Sequence, residues 1–225
     1  MKNLKQVLAS LGLASFMLVG GNAVAQVALL PGVSINNTGT TFNIADNFST
    51  GTFVTDATNT FAAASFSGSM YSAVYMNDTL SPYSSTSGAL TFLYTFKLDA
   101  VQGWLDNVNR LTVNGFTSYK TSVAYDPSSP YTAVNSMDRS DSPGNTLGVS
   151  WAGVPGVAPG GYGQLIVYTD ATSFSGNSAY LQDGSNTTVA VFAPVPEPET
   201  YAMLLAGLGL LGFMARRRKQ KESAA

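Results

Sequence analysis

Bulky apolar side chains recur at every second position over residues 89–101, the clearest periodic stretch of the chain. Phe92, Tyr94, Phe96 and Leu98 lie two apart, and this period places all four on one face of a β-strand. Six further segments have a similar β-rich composition and are separated by turn-forming clusters. The predicted strands are 66–76, 89–101, 111–116, 119–125, 147–151, 163–169 and 187–192. We therefore predict an all-β fold, a single β-sandwich or jelly-roll-like domain.

Two segments of this domain show weaker patterns. Residues 26–60 are rich in Thr, Asn and Gly with scattered Phe, and we favour edge strands there over a flexible lead. Residues 99–110 predict a short helix, with Trp104, Leu105 and Val108 on one side.

The C-terminal end has a different pattern, in which an apolar run is flanked by prolines and by basic residues. Residues 195–200 contain Pro196, Glu197 and Pro198, and residues 201–215 are mainly Leu, Ala, Gly and Met. The prolines favour an extended, accessible peptide, and the apolar run predicts a transmembrane helix. The basic run 216–221 predicts a stop on the cytoplasmic side. Its four consecutive bases are Arg216, Arg217, Arg218 and Lys219.

These three features in this order resemble the PEP-CTERM sorting signal of exopolysaccharide-producing Gram-negative bacteria. The resemblance covers residues 195–221 and implies that an exosortase, a membrane-embedded cysteine protease or transpeptidase, recognises Pro196, Glu197 and Pro198. It further implies a precursor held transiently in the inner membrane and a product at the cell surface or outside the cell. Tails of this kind have also been labelled ice-binding protein C-terminal domains, which carries no evidence of ice binding. The alternative is an ordinary single-span anchor behind a proline-rich spacer.

The N-terminal end has the pattern of a signal peptide. Lys2 and Lys5 precede an apolar stretch, and Ala23 and Ala25 form a small-residue cleavage site before Gln26. The predicted domains are therefore a signal peptide over 1–25, an extracytoplasmic β domain over 26–194 and the sorting signal over 195–221. An uncleaved N-terminal anchor is the alternative.

Composition restricts what the β domain can do. The chain has no Cys and no His, which excludes disulfides, Cys-His and Ser-His-Asp nucleophiles and most zinc sites. Residues 26–194 contain ten Asp and no Glu against four bases, a net charge of −6. An acidic surface argues against nucleic acid as a partner.

The densest polar cluster of the domain is 138–145. Asp138 and Asp141 could supply oxygen ligands to calcium, the one cofactor that the sequence admits. The spacing is not that of an EF-hand, so we favour a solvated loop in which these side chains pair locally.

Two function classes remain open for the β domain. The first is a non-catalytic surface or matrix protein of an exopolysaccharide or biofilm system. The second is a secreted hydrolase of matrix polysaccharide, although the sequence marks out no catalytic pair of carboxylates. Aromatic residues in or beside loops could stack on sugar rings, although most are expected to pack in the core. These residues are Tyr83, Tyr125, Tyr131, Trp151 and Tyr162.

Signal peptidase is expected to cut after Ala25, because its pocket accepts the small side chains at positions 23 and 25. Mass spectrometry of the exported protein should therefore find an N-terminus at Gln26. Exported protein that begins at Met1 would contradict this prediction.

Overall fold

The computed structural model describes residues 27–36, 51–100, 106–128, 130–151, 156–195 and 206–210. These residues form twelve β-strands and one short helical segment, 206–210. The strands are β1 (Val27–Ala28), β2 (Ser34–Asn36), β3 (Thr52–Ala62), β4 (Ser67–Met76), β5 (Leu90–Leu98), β6 (Arg110–Asn114), β7 (Thr121–Ala124), β8 (Ser136–Arg139), β9 (Thr146–Ser150), β10 (Tyr162–Thr169), β11 (Phe174–Asp183) and β12 (Ser185–Pro194). The predicted all-β class is confirmed.

The strands of the described residues form two six-stranded antiparallel sheets. Sheet A has the order β1-β7-β10-β5-β4-β3, and sheet B has the order β12-β11-β6-β9-β8-β2. One hydrophobic core contains side chains from both sheets, an arrangement that fits the predicted β-sandwich.

β5 corresponds to the clearest predicted strand, 89–101, and the residues that alternate along it pack into this core. Phe92, Tyr94, Phe96 and Leu98 are at most 1% exposed, which confirms their shared face. The ring of Phe96 meets that of Trp151 edge-on, with centroids 5.4 Å apart. Such edge contacts add to the free energy of burial that each ring supplies.

The opposite face of sheet A carries a second, smaller cluster. Leu93, Ile166 and Tyr168 are buried there, and Leu80 and Tyr83 from the β4–β5 connection pack against them. The central part of sheet A is therefore buried on both faces. This explains why apolar Leu93 interrupts the apolar–polar alternation of β5.

Each of the seven predicted strands overlaps an observed strand. Of the other segments, residues 26–60 agree with expectation, whereas the predicted helix, β8 and β11 differ from it. Within 26–60, the described part contains β1, β2 and most of β3, which supports strands rather than a flexible lead. The helix over 99–110 is wrong in its described part, because Val108 forms a β-bridge with Val157 and Arg110 begins β6. β8 and β11 were not predicted. After Phe174, the first half of β11 consists of Ser, Gly and Asn residues, and β8 places the charged Arg139 at an inward position.

Arg139 connects the two sheets. Its side chain lies on β8 of sheet B, and the residue is only 4% exposed. All five guanidinium N–H groups donate hydrogen bonds of 2.6 to 3.1 Å. The acceptors are the backbone carbonyls of Leu29, Phe116, Tyr119 and Gly144 and the hydroxyl of Thr121. The solvated loop expected over 138–145 is thus wrong at its start, where Arg139 belongs to a buried strand end.

Replacing Arg139 with Met is expected to lower the free energy of unfolding by about 3–5 kcal/mol, because buried carbonyls lose their donors. Arg139→Lys should cost about 2–3 kcal/mol, since one ammonium cannot reach acceptors arranged around a planar fork. Urea denaturation of the purified protein measures both values.

Arg110 on β6, which is separated from β8 by β9 in sheet B, is the matched control. It makes an ion pair with Asp138 in which both side chains are a quarter to a third exposed, so Arg110→Met should cost only about 1 kcal/mol. Equal losses for the Met variants of Arg139 and Arg110 would contradict the role assigned to Arg139.

Candidate functional site

The described chain reaches the edge of the predicted sorting signal. Pro196, Glu197 and Pro198 lie outside the described residues, as do the basic residues Arg216, Arg217, Arg218 and Lys219 and the signal-cleavage residues Ala23, Ala25 and Gln26. The last described residue before the motif is Val195, which directly follows β12. Val195 is therefore the point at which the described domain meets the motif.

Val195 is bonded to the domain through both of its backbone polar groups. Its N–H donates to the carbonyl of Ser173 at 3.2 Å. Its carbonyl accepts from the Ser173 hydroxyl at 3.0 Å and from the Tyr119 hydroxyl. Ser173 precedes β11, and Tyr119 lies in the turn between β6 and β7, so two separate segments hold this residue. We call this arrangement the Val195 clamp.

β12, the strand leading to the clamp, is bonded along both edges. One edge pairs with β11 over all ten residues, from Ser185 to Pro194. On the other edge, side chains of sheet A supply the partners. Asn59 donates to the carbonyl of Ala190, Tyr94 donates to the carbonyl of Phe192, and the Ser72 hydroxyl accepts from the Phe192 N–H. These bonds occupy the edge at Ala190 and Phe192, which opposes pairing with another chain there.

The outer face of sheet A carries a group of aromatic residues that the sequence patterns did not single out. Tyr71 and Tyr75 lie on β4, and Phe53 of β3 is 53% exposed and meets Tyr75 edge-on at 5.8 Å. Burial, followed by the neighbouring Tyr75 and the carboxylate of Asp56, raises the pKa of Tyr71 to about 12. Tyr71 is therefore protonated at neutral pH, with Tyr75 and Asp56 as hydrogen-bonding neighbours. We call Phe53, Tyr71 and Tyr75, together with Asp56 beside them, the β3–β4 aromatic face.

The five aromatic residues proposed to stack on sugars fall into three groups. Trp151 and Tyr125 are buried in the core, so they cannot contact a ligand. Tyr131 and Tyr162 meet edge-on at 6.3 Å, and the amine of Lys97 lies 5.5 Å from the centroid of the Tyr162 ring. Tyr83 packs over sheet A, and burial raises its pKa to about 12.

An open groove of about 430 Å³ lies between the N-terminal segment and the β6–β7 turn. Leu30, Pro31, Tyr83 and Lys120 are among its lining residues, and Tyr119 of the clamp borders it as well. Arg139 also lines the groove, but all five of its donors are used within the protein. Its guanidinium therefore has no N–H left for an anionic ligand.

The structure separates the two candidate calcium ligands by environment. Asp138 lies on β8, and both of its carboxylate oxygens accept from the guanidinium of Arg110 at 2.7 Å. Asp141 lies exposed in the following turn. Among the described residues, no group of three or more acidic, His or Cys side chains is placed to hold a metal. Calcium at Asp138 and Asp141 stays a prediction from sequence, in competition with a bidentate ion pair.

One pair of acids is electrostatically coupled at the end of β11. Burial and then the nearby Asp106 raise the pKa of Asp183, while a hydrogen bond from the Asn109 amide, 2.7 Å long, opposes the shift. Coupled carboxylates can divide acid and base roles. Asp106 is solvent-exposed, however, so this pair lacks the enclosed setting in which such a division is usually built.

The apolar C-terminal run is described only over residues 206–210, which are helical and exposed. In the part of the chain that the structure describes, no helix has both the length and the apolar character needed to cross a membrane. Most of the predicted transmembrane helix over 201–215 lies outside that part.

Comparison with protein families identifies the PEP-CTERM protein-sorting motif at residues 194–219. The match covers the clamped end of β12, the Pro-Glu-Pro segment, the apolar run and the consecutive bases, and it confirms the resemblance recognised from those residues. Comparisons of the chain with curated proteins and with solved structures found no match.

Proposed function

We propose that this protein is exported, held transiently in the inner membrane by its C-terminal tail, and sorted to the cell surface or the extracellular space by an exosortase. The PEP-CTERM motif at residues 194–219 is the observation that carries this proposal. The Pro-Glu-Pro segment serves as the recognition site, the run 201–215 as the anchor, and the bases that follow as the cytoplasmic stop.

The length of the tail supports a temporary rather than a permanent anchor. Fifteen apolar residues make about 22 Å of helix, whereas the hydrocarbon core of a bilayer is about 30 Å thick. Such a span must thin the bilayer or let Arg216 extend to the interface. Only residues 196–200 separate the Val195 clamp from this run, a reach of about 17 Å at full extension. In this proposal the recognition site belongs to the short linker between the folded domain and the anchor.

Replacing Glu197 with Ala is expected to leave uncut precursor in the inner membrane, because the exosortase loses the central side chain of its recognition site. The domain should fold normally, since position 197 follows the clamp. Fractionation with an antibody to the domain, together with the mass of its C-terminus, measures the outcome.

The triple variant Arg216→Gln, Arg217→Gln, Arg218→Gln tests the stop separately. It should let the tail pass through the membrane and release uncut protein, because the positive charge that retains it is gone. If wild-type surface protein still ends at Ala225, the tail is a plain membrane anchor and the sorting proposal is wrong.

For the domain itself, we propose a non-catalytic role in binding exopolysaccharide, with the β3–β4 aromatic face as the binding surface. Aromatic rings can pack on the apolar faces of sugar rings, and the Tyr71 hydroxyl and Asp56 carboxylate can bond to sugar hydroxyls. The absence of His, Cys and Glu from residues 26–194 supports binding without catalysis. The alternative, a secreted hydrolase, is favoured only by the Asp183–Asp106 coupling.

The processed protein is expected to bind polysaccharide from its own host without shortening it. Replacing both Tyr71 and Tyr75 with Ala should weaken binding roughly tenfold, by removing the stacking surface. Cosedimentation measures binding, and size-exclusion chromatography of the polysaccharide measures its length.

Tyr180→Ala is the control for this experiment. Tyr180 is half-buried on β11 of sheet B, where it alternates with the core residues Ala179 and Leu181 and therefore lies on the opposite face of that strand. Polysaccharide that shortens with wild-type protein but not with Asp183→Asn would favour the hydrolase. Equal binding by all variants would contradict the assigned surface.

A further inference from the structure

The Val195 clamp engages the backbone of the last described residue before the sorting motif. A protease that binds an extended peptide uses the backbone N–H and C=O groups of its substrate, in the manner of an added β-strand. Both groups of Val195 are already bonded within the domain. The preceding ten residues are paired with β11, and β12 also takes bonds from sheet A along its other edge.

The residue that follows the clamp further restricts which backbone groups a protease could bind. Pro196 has no backbone N–H, so the first donor beyond Val195 belongs to Glu197, the central residue of the motif. The clamp and the proline together place the start of the available peptide at the recognition site itself.

The turn that carries Tyr119 of the clamp is itself held by hydrogen bonds. Arg139 donates hydrogen bonds to the carbonyls of Phe116 and Tyr119, which holds the turn that carries the Tyr119 hydroxyl. Tyr119 is half-buried, so its ring is restrained by packing as well. A hydroxyl held on a braced turn restrains Val195 more than one on a free side chain would.

We propose that Tyr119 and Ser173 are positioning residues that set the N-terminal limit of cleavage, so that the processed protein ends at or after Pro196. This inference rests on the proposed sorting by an exosortase and adds to it the residues that restrict where the enzyme can cut. Neither side chain takes part in the cleavage chemistry.

The experiment compares the full chain with the double variant Tyr119→Phe, Ser173→Ala, which removes both hydroxyl bonds to the Val195 carbonyl. Hydrogen exchange at the Val195 amide, measured on the full chain in detergent, should become about tenfold faster, because two hydrogen bonds no longer oppose local opening. Amides near the β11–β12 turn should exchange as in the wild type. Each single variant should show a smaller increase, which provides the readout if the double variant folds poorly.

The second measurement is the C-terminal mass of the processed protein from the host. Wild-type protein should end at one position at or after Pro196, and the double variant should show additional ends before it. The control variant Tyr180→Phe, Ser175→Ala removes the same atoms from β11, where the Ser175 hydroxyl bonds only to the adjacent Gly176 carbonyl among the contacts described. This control should match the wild type in both measurements.

The outcomes separate the two proposals. Wild-type protein that ends at Ala225 overturns the sorting proposal. The hydrogen-exchange measurement still tests whether Tyr119 and Ser173 restrain Val195. Wild-type protein that ends before Pro196 overturns the positioning role while sorting stands. Unchanged Val195 exchange in the double variant, or an unchanged single C-terminus, also overturns the positioning role.

Discussion

The constraint on which this structure most depends is the full hydrogen bonding of one buried cation. A guanidinium removed from water loses its hydration, and burial accordingly lowers the pKa of Arg139, with Tyr83 and Asp170 opposing the shift. The residue stays buried because five oxygen acceptors surround it. These acceptors come from the N-terminal segment, the β6–β7 turn, β7 and the turn after β8. One side chain thus fixes the relative positions of segments from both sheets, including the turn that supplies the Val195 clamp.

The same requirement, that buried or edge polar groups find partners, governs the last strand. β12 is the terminal strand of sheet B, and an unpaired terminal strand would expose a row of backbone groups. Asn59, Ser72 and Tyr94 bond to that edge instead. Because the chain has no Cys, cohesion between the sheets comes from the shared core and from side-chain bonds of this kind. The packing of the two sheets therefore holds β12, the strand that precedes the sorting signal.

How much the sequence predicts depends on whether the relevant signal is local. The alternation of β5 predicted its buried face, because pleating converts spacing along the chain directly into orientation. β8 escaped the same reasoning because Arg139 occupies an inward position, and its acceptor Leu29 lies 110 residues away. The Pro-Glu-Pro signal could be recognised from the sequence because its residues are contiguous. The clamp was not, since Tyr119 lies 76 residues before the carbonyl that it binds, and the β3–β4 aromatic face arises only when neighbouring strands align.

The clamp has a consequence for the order of folding and sorting. Its bonds come from the β6–β7 turn and from the residue before β11, and the bonds on the free edge of β12 come from sheet A, so the full set exists only once the two sheets have packed. Before that point, residues 185–200 can extend together, roughly 55 Å of chain at full length. After it, only residues 196–200 remain between the domain and the predicted anchor, about 17 Å. If the run 201–215 anchors the chain as proposed, completion of the fold would draw the proposed recognition site towards the membrane surface. The proposed sorting enzyme would then meet its substrate only as a folded domain.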